Sequence, residues 1–347
     1  MHINVFNSKI IFNLEKANAK SKKYKNIKCN KMNNYKFNRK QLKIYSKLLF
    51  IIFISFLLYL ILIIEYYYKF QRHPYDIFKS HKVFIQSHRG VNREIFQNTI
   101  EAFRLAIRYK IECIETDVWL TKDNELVIMH GSGPDGNLEG FYDHPGNITN
   151  LTWAELSTYQ TIKDNLTIPK LRDVMKLIKE NKIYMNLEIK DPRVDLVFPY
   201  LIELIEEFDI FEQINLSSYE HNYYYKIREY NIKYNKNLIF GSLYKPYMDE
   251  YDYSRKGSSL NIFWANATKE ICDKAHENGM AVLTYFGMDN LENNEIYKQL
   301  IQNGVDIICC NEPVLAKAYR DSYYIKNIIN KIFFKLTTTI KKYIQYS

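Results

Sequence analysis

The sequence predicts an α/β chain, a (β/α)8 TIM-type barrel preceded by a single N-terminal transmembrane helix, and three observations predict it. From Lys82 to about Arg320, short β-branched apolar runs alternate with longer amphipathic segments, the pattern of a parallel sheet with crossover helices. The alternation lasts about 240 residues, the usual length of one such barrel. Ahead of it, residues 48–64 read LLFIIFISFLLYLILII, seventeen positions without a charge, just enough to span a bilayer.

Residues 1–47 form an Asn- and Lys-rich arm with thirteen Lys and Arg against one acid, Glu15. That is +12 of a total +9, so everything after residue 47 sums to about −3. A nucleic-acid reader needs its basic patch on the folded domain, so the charge does not argue for a nucleic-acid partner. The apolar segment at 48–64 lies deep in the chain and runs into Glu65, three tyrosines and Lys69 instead of small residues, which fits an uncleaved signal anchor. The cationic arm before it predicts a cytosolic N-terminus, with the remainder lumenal or extracellular. Residues 65–81 read as a linker.

The barrel is expected over 82–318. Strand candidates are 82–87, 112–119, 125–130, 183–190, 211–217, 238–243, 260–264, 280–286 and 305–310, with helical periodicity near 98–110, 170–181, 193–208, 219–230, 267–278 and 291–303. Nine strands are one more than the barrel holds. The surplus is expected in the close pair 112–119 and 125–130, and the sequence leaves open which of the two it is. Residues 131–165 carry five glycines and two prolines without periodicity, an inserted loop of a length that usually serves function. The tail 319–347 has six Lys and Arg among Ile, Phe and Tyr, a composition suited equally to an amphipathic helix on a membrane surface and to packing on the barrel.

Five cysteines show no paired metal spacing, and Cys113, Cys309 and Cys310 read as small buried hydrophobes of strands. Glycosylation-type triplets begin at Asn147, Asn150, Asn165, Asn215 and Asn266, a weak signal in a chain so rich in Asn.

Four apolar runs end in ionisable groups: Ser87-His88-Arg89-Gly90, Glu115-Thr116-Asp117, Met129-His130-Gly131 and Glu188-Ile189-Lys190. In a barrel such ends converge on one face. The two-residue period of a strand places Glu115 and Asp117 on one side, where two close carboxylates repel and a hard divalent cation relieves them. Glu188 would supply a third oxygen, which implies Ca2+ or Mg2+. Lys190 shares a face with Glu188 and can pair with the carboxylates or hold a phosphate oxygen, while Arg89 offers a fork for two such oxygens. His88 and His130 titrate near neutrality and suit acid/base work at phosphorus.

Read together, the strings Ser87-His88-Arg89-Gly90, Gln97-Asn98-Thr99-Ile100-Glu101-Ala102-Phe103, Ile114-Glu115-Thr116-Asp117-Val118, Thr121-Lys122-Asp123, Val127-Ile128-Met129-His130 and Asn186-Leu187-Glu188-Ile189-Lys190 resemble the glycerophosphodiester phosphodiesterase family in order and spacing. Weaker echoes at Ser217-Ser218-Tyr219 and Gly304-Val305-Asp306 extend the resemblance over roughly 82–318. It implies that Glu115, Asp117 and Glu188 hold the metal, that His88 and His130 are general base and acid, and that Arg89 and Lys190 grip the phosphate. In the mechanism it implies, a glycerol hydroxyl attacks phosphorus, the alcohol leaves protonated, and water opens the cyclic phosphate. Three departures stand out. Phe96-Gln97 replaces the family's Pro-Glu, Gly131 replaces the Asp after His130, and Tyr285 stands near the family's late Trp, so that aromatic stacking on the substrate would fall to Tyr285.

A glycerophosphodiester substrate is therefore expected. The rivals are a lysophospholipid substrate or phospholipase C-like cleavage near the bilayer, and a non-catalytic membrane scaffold, against which the retention of all five core groups argues.

Overall fold

The computed structural model describes residues 39–70, 82–246, 248, 250–253 and 257–345. Most of the arm expected at 1–47, Cys29 and the stretch 71–81 of the expected linker lie outside the described residues. The chain divides into two compact units, Met1–Gln71 and Arg72–Ser347.

In the first unit, helix α1 runs Arg39–Phe70, 32 residues or about 48 Å at 1.5 Å per residue. It extends beyond the predicted 48–64 in both directions, since no Pro or Gly interrupts the sequence there. The stretch Ile44–Ile61 is long and apolar enough to cross a membrane. Its large side chains, among them Leu49, Phe50, Ile51 and Phe53, are exposed.

The second unit is a closed barrel. Its parallel strands are β1 (Phe84–Ser87), β2 (Cys113–Leu120), β4 (Tyr184–Ile189), β5 (Ile214–Ser218), β6 (Ile239–Leu243), β7 (Ser259–Phe263), β8 (Ala281–Tyr285) and β9 (Ile307–Cys310). Strand β1 pairs with both β2 and β9, which closes the ring. The surplus strand is β3 (Leu126–Ile128), which turns back antiparallel along the upper end of β2, with Val118 opposite Ile128. Helices α2 (Ile100–Arg108), α4 (Leu171–Asn181), α5 (Val194–Phe208), α6 (Asn222–Tyr234), α7 (Lys269–Glu277), α8 (Asn294–Asn303) and α9 (Pro313–Gln345) follow the strands; α3 (Trp153–Leu156) lies in the inserted loop.

Alternation decides which side chains meet the helices. Ile114, Leu187, Leu216 and Phe240 pack under α2, α4, α5 and α6, and Ile85, Leu260, Val282 and Ile308 pack under α7 to α9. The opposite parity points into the barrel, where Phe84, Leu283, Ile307 and Cys309 close the lower end. Above them the lining is amide-rich: Asn215 Nδ2 donates to Asn186 Oδ1 at 3.0 Å, and Ser259 Oγ to Asn261 Oδ1 at 2.7 Å. Cys113, Cys272, Cys309 and Cys310 are all buried free thiols, in line with the sequence reading of the three strand cysteines.

The inserted loop builds a small core of its own from Leu138, Tyr142, Ile148 and Leu156 against Trp119 and Met129. A capping box at Thr152 and Glu155 starts α3. These contacts are tertiary, which is why no local period announces them.

Candidate active site

The site lies where the upper ends of β1, β2, β4 and β9 meet. Glu115 and Asp117 sit two apart on β2, Glu188 is on β4 beside Asp117 in register, and one ligand oxygen from each lies within 4.8 Å of the others. All three residues are buried, Glu115 Oε1 and Asp117 Oδ1 have no hydrogen-bond donor, and Glu188 Oε1 meets only the Lys190 ammonium. Buried carboxylate oxygens without donors are costly unless a cation answers them.

Two cations share the pocket. Lys190 Nζ lies 2.9 Å from Glu188 Oε1 and 3.8 Å from Asp117 Oδ1. Arg89 Nε lies 3.0 Å from Asp117 Oδ2 as an ion pair without hydrogen-bond alignment. The Arg89 backbone N–H donates to Glu115 Oε2 at 2.9 Å, and its Nη1 to Gln97 Oε1 at 2.5 Å. Gln97, which stands where the resemblance led us to expect an acid, thus holds the guanidinium.

Arg89 and Asn98 both adopt left-handed backbone, with φ of 59° and 57°. Asn98 N–H donates to Arg89 O at 3.0 Å, its side-chain Nδ2 donates to Asp117 Oδ2 at 2.8 Å, and its Oδ1 accepts from Thr116 Oγ1 at 2.8 Å. The strained pair is thus held in place and in turn holds Asp117.

His88 is buried just above β1, and its Nδ1 lies 2.9 Å from Asn311 Oδ1. The amide is oriented by Asn311 Nδ2 donating to Gly287 O at 3.1 Å and by Asn92 Nδ2 donating to Oδ1 at 2.8 Å. An amide oxygen only accepts, so His88 carries its proton on Nδ1 and leaves a lone pair on Nε2.

His130 reaches the pocket differently from the sequence expectation of four converging barrel-strand ends. It follows the antiparallel β3, whose reversal drops the chain back to Asp117: Met129 N–H donates to Asp117 O at 3.0 Å. Trp119 Nε1 donates to His130 O at 2.9 Å, and Gly131 takes φ of 56° beneath Gly136, where a Cβ would stand 2.8 Å from Gly136 Cα. Lys190 Nζ, a donor only, lies 3.3 Å from His130 Nε2, so the neutral ring bears its proton on Nδ1, which has no partner.

Electrostatics sharpen these roles. Burial, aided by Asp117, holds Glu115 well above the ordinary carboxylate range. Glu188 is raised by burial, against the pull of Lys190. Burial opposes ionisation of Asp117, but Arg89 and Lys190 overcome it and hold its carboxyl below the usual range. Lys190 stays charged because Glu188 and Asp117 outweigh its own burial. Burial lowers both His88 and His130 to about 3, so each ring is neutral at physiological pH.

Tyr285, at the end of β8, donates its hydroxyl to Tyr244 O at 2.7 Å and accepts from Tyr219. The Tyr219 ring lies 5.8 Å from Lys190 Nζ and is 38% exposed, so Tyr219 offers the open aromatic face and Tyr285 supports it from behind. Sequence reasoning gave no role to Asn311, Asn92, Gln97, Asn98 or Tyr219. The signal available for Asn311 was a polar residue directly after the apolar run Ile307–Cys310 and just before Pro313.

Ligand oxygens around one Ca2+ or Mg2+ stand about 3 to 5 Å apart, so three hard oxygens within 4.8 Å fit such an ion. Fold and site together define a phosphodiesterase of the barrel type. The sequence pattern of the glycerophosphoryl diester phosphodiesterase family matches residues 88–315, and the chain belongs to that family. A glycerophosphodiester phosphodiesterase of Caldanaerobacter subterraneus is 29% identical over 245 residues, 67% of this chain and 95% of the relative. A lysophospholipase D of Mus musculus is 26% identical over 208 residues, 59% of this chain and 52% of that protein. The solved structure of an Oleispira antarctica phosphodiesterase in complex with the product sn-glycerol-3-phosphate superposes with a TM-score of 0.60 at 18% identity, over 70% of this chain and 99% of that one.

Proposed function

We propose that the chain hydrolyses glycerophosphodiesters to glycerol 3-phosphate and an alcohol. The observation that carries this reading is the placement of three buried carboxylates, with one oxygen of each within 4.8 Å of the others, beside His88 and His130. Glu115, Asp117 and Glu188 would hold one Ca2+ or Mg2+, which would supply positive charge against the charge developing on the phosphate oxygens. Arg89 and Lys190 grip the phosphate. His88 Nε2, its lone pair fixed by Asn311, accepts the proton of the attacking glycerol hydroxyl. His130 acts in its imidazolium form, taken up with the phosphodiester bound, and delivers that proton to the departing alcohol oxygen, which leaves the ring neutral. In the second half the roles reverse: His130 takes a proton from water as it opens the cyclic phosphate, and His88 returns its own to the glycerol oxygen.

Tyr219, backed by Tyr285, offers an aromatic face to the leaving alcohol. Residues 1–47 form the cytosolic arm, the apolar stretch of α1 crosses the membrane, and the barrel faces the lumen or exterior. The likeness to the mouse lysophospholipase D favours one second reading, a lysophospholipid as substrate.

The test uses the compact unit from Arg72 onward. Release of glycerol 3-phosphate from glycerophosphocholine is measured with Ca2+ or Mg2+, beside Glu115→Ala and His88→Ala. Metal-dependent turnover lost in both variants supports the reading. Folded protein that instead releases choline from lysophosphatidylcholine establishes the second, and inactivity on both substrates overturns the two together.

A further inference from the structure

We infer that Glu292 is a positioning residue whose carboxylate keeps Asn311 in the orientation that holds the His88 proton on Nδ1, an assignment that rests on the reading of His88 as the base. The ladders on the two sides of β9 end at Cys309, opposite Tyr285, and at Cys310, opposite Ser87. Past them the backbone needs other acceptors. Glu292, in the loop between β8 and α8, supplies them: Asn311 N–H donates to its Oε1 at 2.7 Å and Glu312 N–H to its Oε2 at 3.3 Å. The carboxylate is itself anchored. Tyr297, buried in the first turn of α8, donates its hydroxyl to Oε2 at 2.7 Å.

The same loop orients the Asn311 side chain. Asn290 closes a turn on Gly287, its Oδ1 accepting from Gly287 N–H at 2.7 Å and its own N–H donating to Gly287 O at 3.1 Å. Gly287 O, fixed in this way, also accepts from Asn311 Nδ2 at 3.1 Å. Glu292 follows the turn by two residues and ties it to the Asn311 backbone, which keeps the Asn311 amide within reach of that carbonyl. Asn92 Nδ2 supports the same orientation from the β1 side, donating to Asn311 Oδ1 at 2.8 Å and to His88 O at 2.7 Å. The competing state is chemically well defined. An amide turned the other way would present Nδ2 to His88, and a donor there favours the tautomer with its proton on Nε2, which removes the lone pair that the base needs.

The test reads the ring as well as the rate. The full chain, with the heavy nitrogen isotope in its histidines, is reconstituted in vesicles without substrate or metal and observed by solid-state NMR at neutral pH. The His88 signals are those lost in His88→Gln. In the parent, Nδ1 should be protonated and Nε2 bare. Glu292→Ala should give a mixture of both tautomers; Glu292→Met, which keeps the side-chain length and removes both acceptor oxygens, should do the same and serves if the smaller residue fails to fold. Glu292→Gln returns an oxygen to Asn311 N–H and should restore the parent spectrum. With substrate and metal added, the two acceptor-free variants should lose about 10- to 100-fold in kcat with KM little changed. The parent tautomer retained in a folded Glu292→Ala or Glu292→Met would overturn the proposal. A mixed tautomer with undiminished kcat would support the positioning by Glu292 and overturn instead the reading of His88 as the base.

Discussion

Asn311 Oδ1 stands 2.9 Å from His88 Nδ1, although 223 residues separate the two in sequence. The contact joins the end of the last barrel strand to the end of the first, which become neighbours only when the ring closes. Its chemical effect is to put the basic lone pair on Nε2.

Removing that acceptor should uncouple His88 from its tautomer. Asn311→Ala is expected to lower kcat about 10- to 100-fold with the fold intact, the usual range for a partner that orients a functional ring. Asn311→Asp retains an acceptor and adds charge that favours the imidazolium, so the acid limb of the kcat/KM profile should move to higher pH. An unchanged profile in Asn311→Asp would show that His88 is not the base.

Glu115 is forced up by burial and by Asp117, so its charge is unfavourable in the metal-free protein. Glu115→Gln should raise the thermal stability of the metal-free protein and abolish stabilisation by added Ca2+ or Mg2+. In the parent that stabilisation should be about 2.7 kcal/mol at a hundredfold excess over Kd. A variant that still responds to metal as the parent does would remove Glu115 from the ligand set.

At the lower rim Arg320, 2% exposed, forks onto Glu112 with Nη1 to Oε2 at 2.5 Å and Nη2 to Oε1 at 2.6 Å, and Nη1 also donates to Val83 O at 3.0 Å. Arg320→Ala leaves Glu112 without its partner and should cost about 3 kcal/mol in urea denaturation. Arg320→Lys should recover little, because one ammonium cannot replace the fork. A loss below about 1 kcal/mol in Arg320→Ala would show that solvent screens the pair.

His276 Nε2 lies 2.8 Å from Asp306 Oδ2, and this hydrogen bond raises the histidine above its ordinary 6.5 against the effect of burial. The charged form is favoured in the folded state. Its stabilisation is therefore fully present below 6.5 and lost as pH rises through the raised value. With the ring 40% exposed, the contribution should stay under about 1 kcal/mol. His276→Ala should flatten stability across that window, and a parent already flat there would dismiss the pair.

A lumenal or extracellular barrel predicts glycan on exposed Asn150 and Asn165 in a glycosylating host. Asn215 should stay bare, because its side chain donates inside the barrel to Asn186. Expression with endoglycosidase treatment reads this as a mobility shift removed by Asn150→Gln with Asn165→Gln; no shift would reverse the proposed orientation.

The sequence by itself determined the nine strands and the six helices α2 and α4 to α8 to within a few residues, because a two-residue period and a helical period are local properties of the chain; α1 proved longer than expected, and α3 and the full run of α9 were not foreseen. The same period placed Glu115 beside Asp117 and Glu188 beside Lys190, so most of the acidic and cationic pocket was legible before any fold was seen. Tertiary structure decided the rest. Which of the two close strands stands outside the ring depends on what pairs with β4, and the ladder gives that place to Cys113–Leu120. His130 reaches Asp117 through the reversal of β3, a geometry that no spacing in Met129-His130-Gly131 encodes. The tautomers rest on Asn311 and Lys190, distant in sequence from the rings they fix, since a hydrogen bond depends on distance and direction in space and leaves no period in the chain.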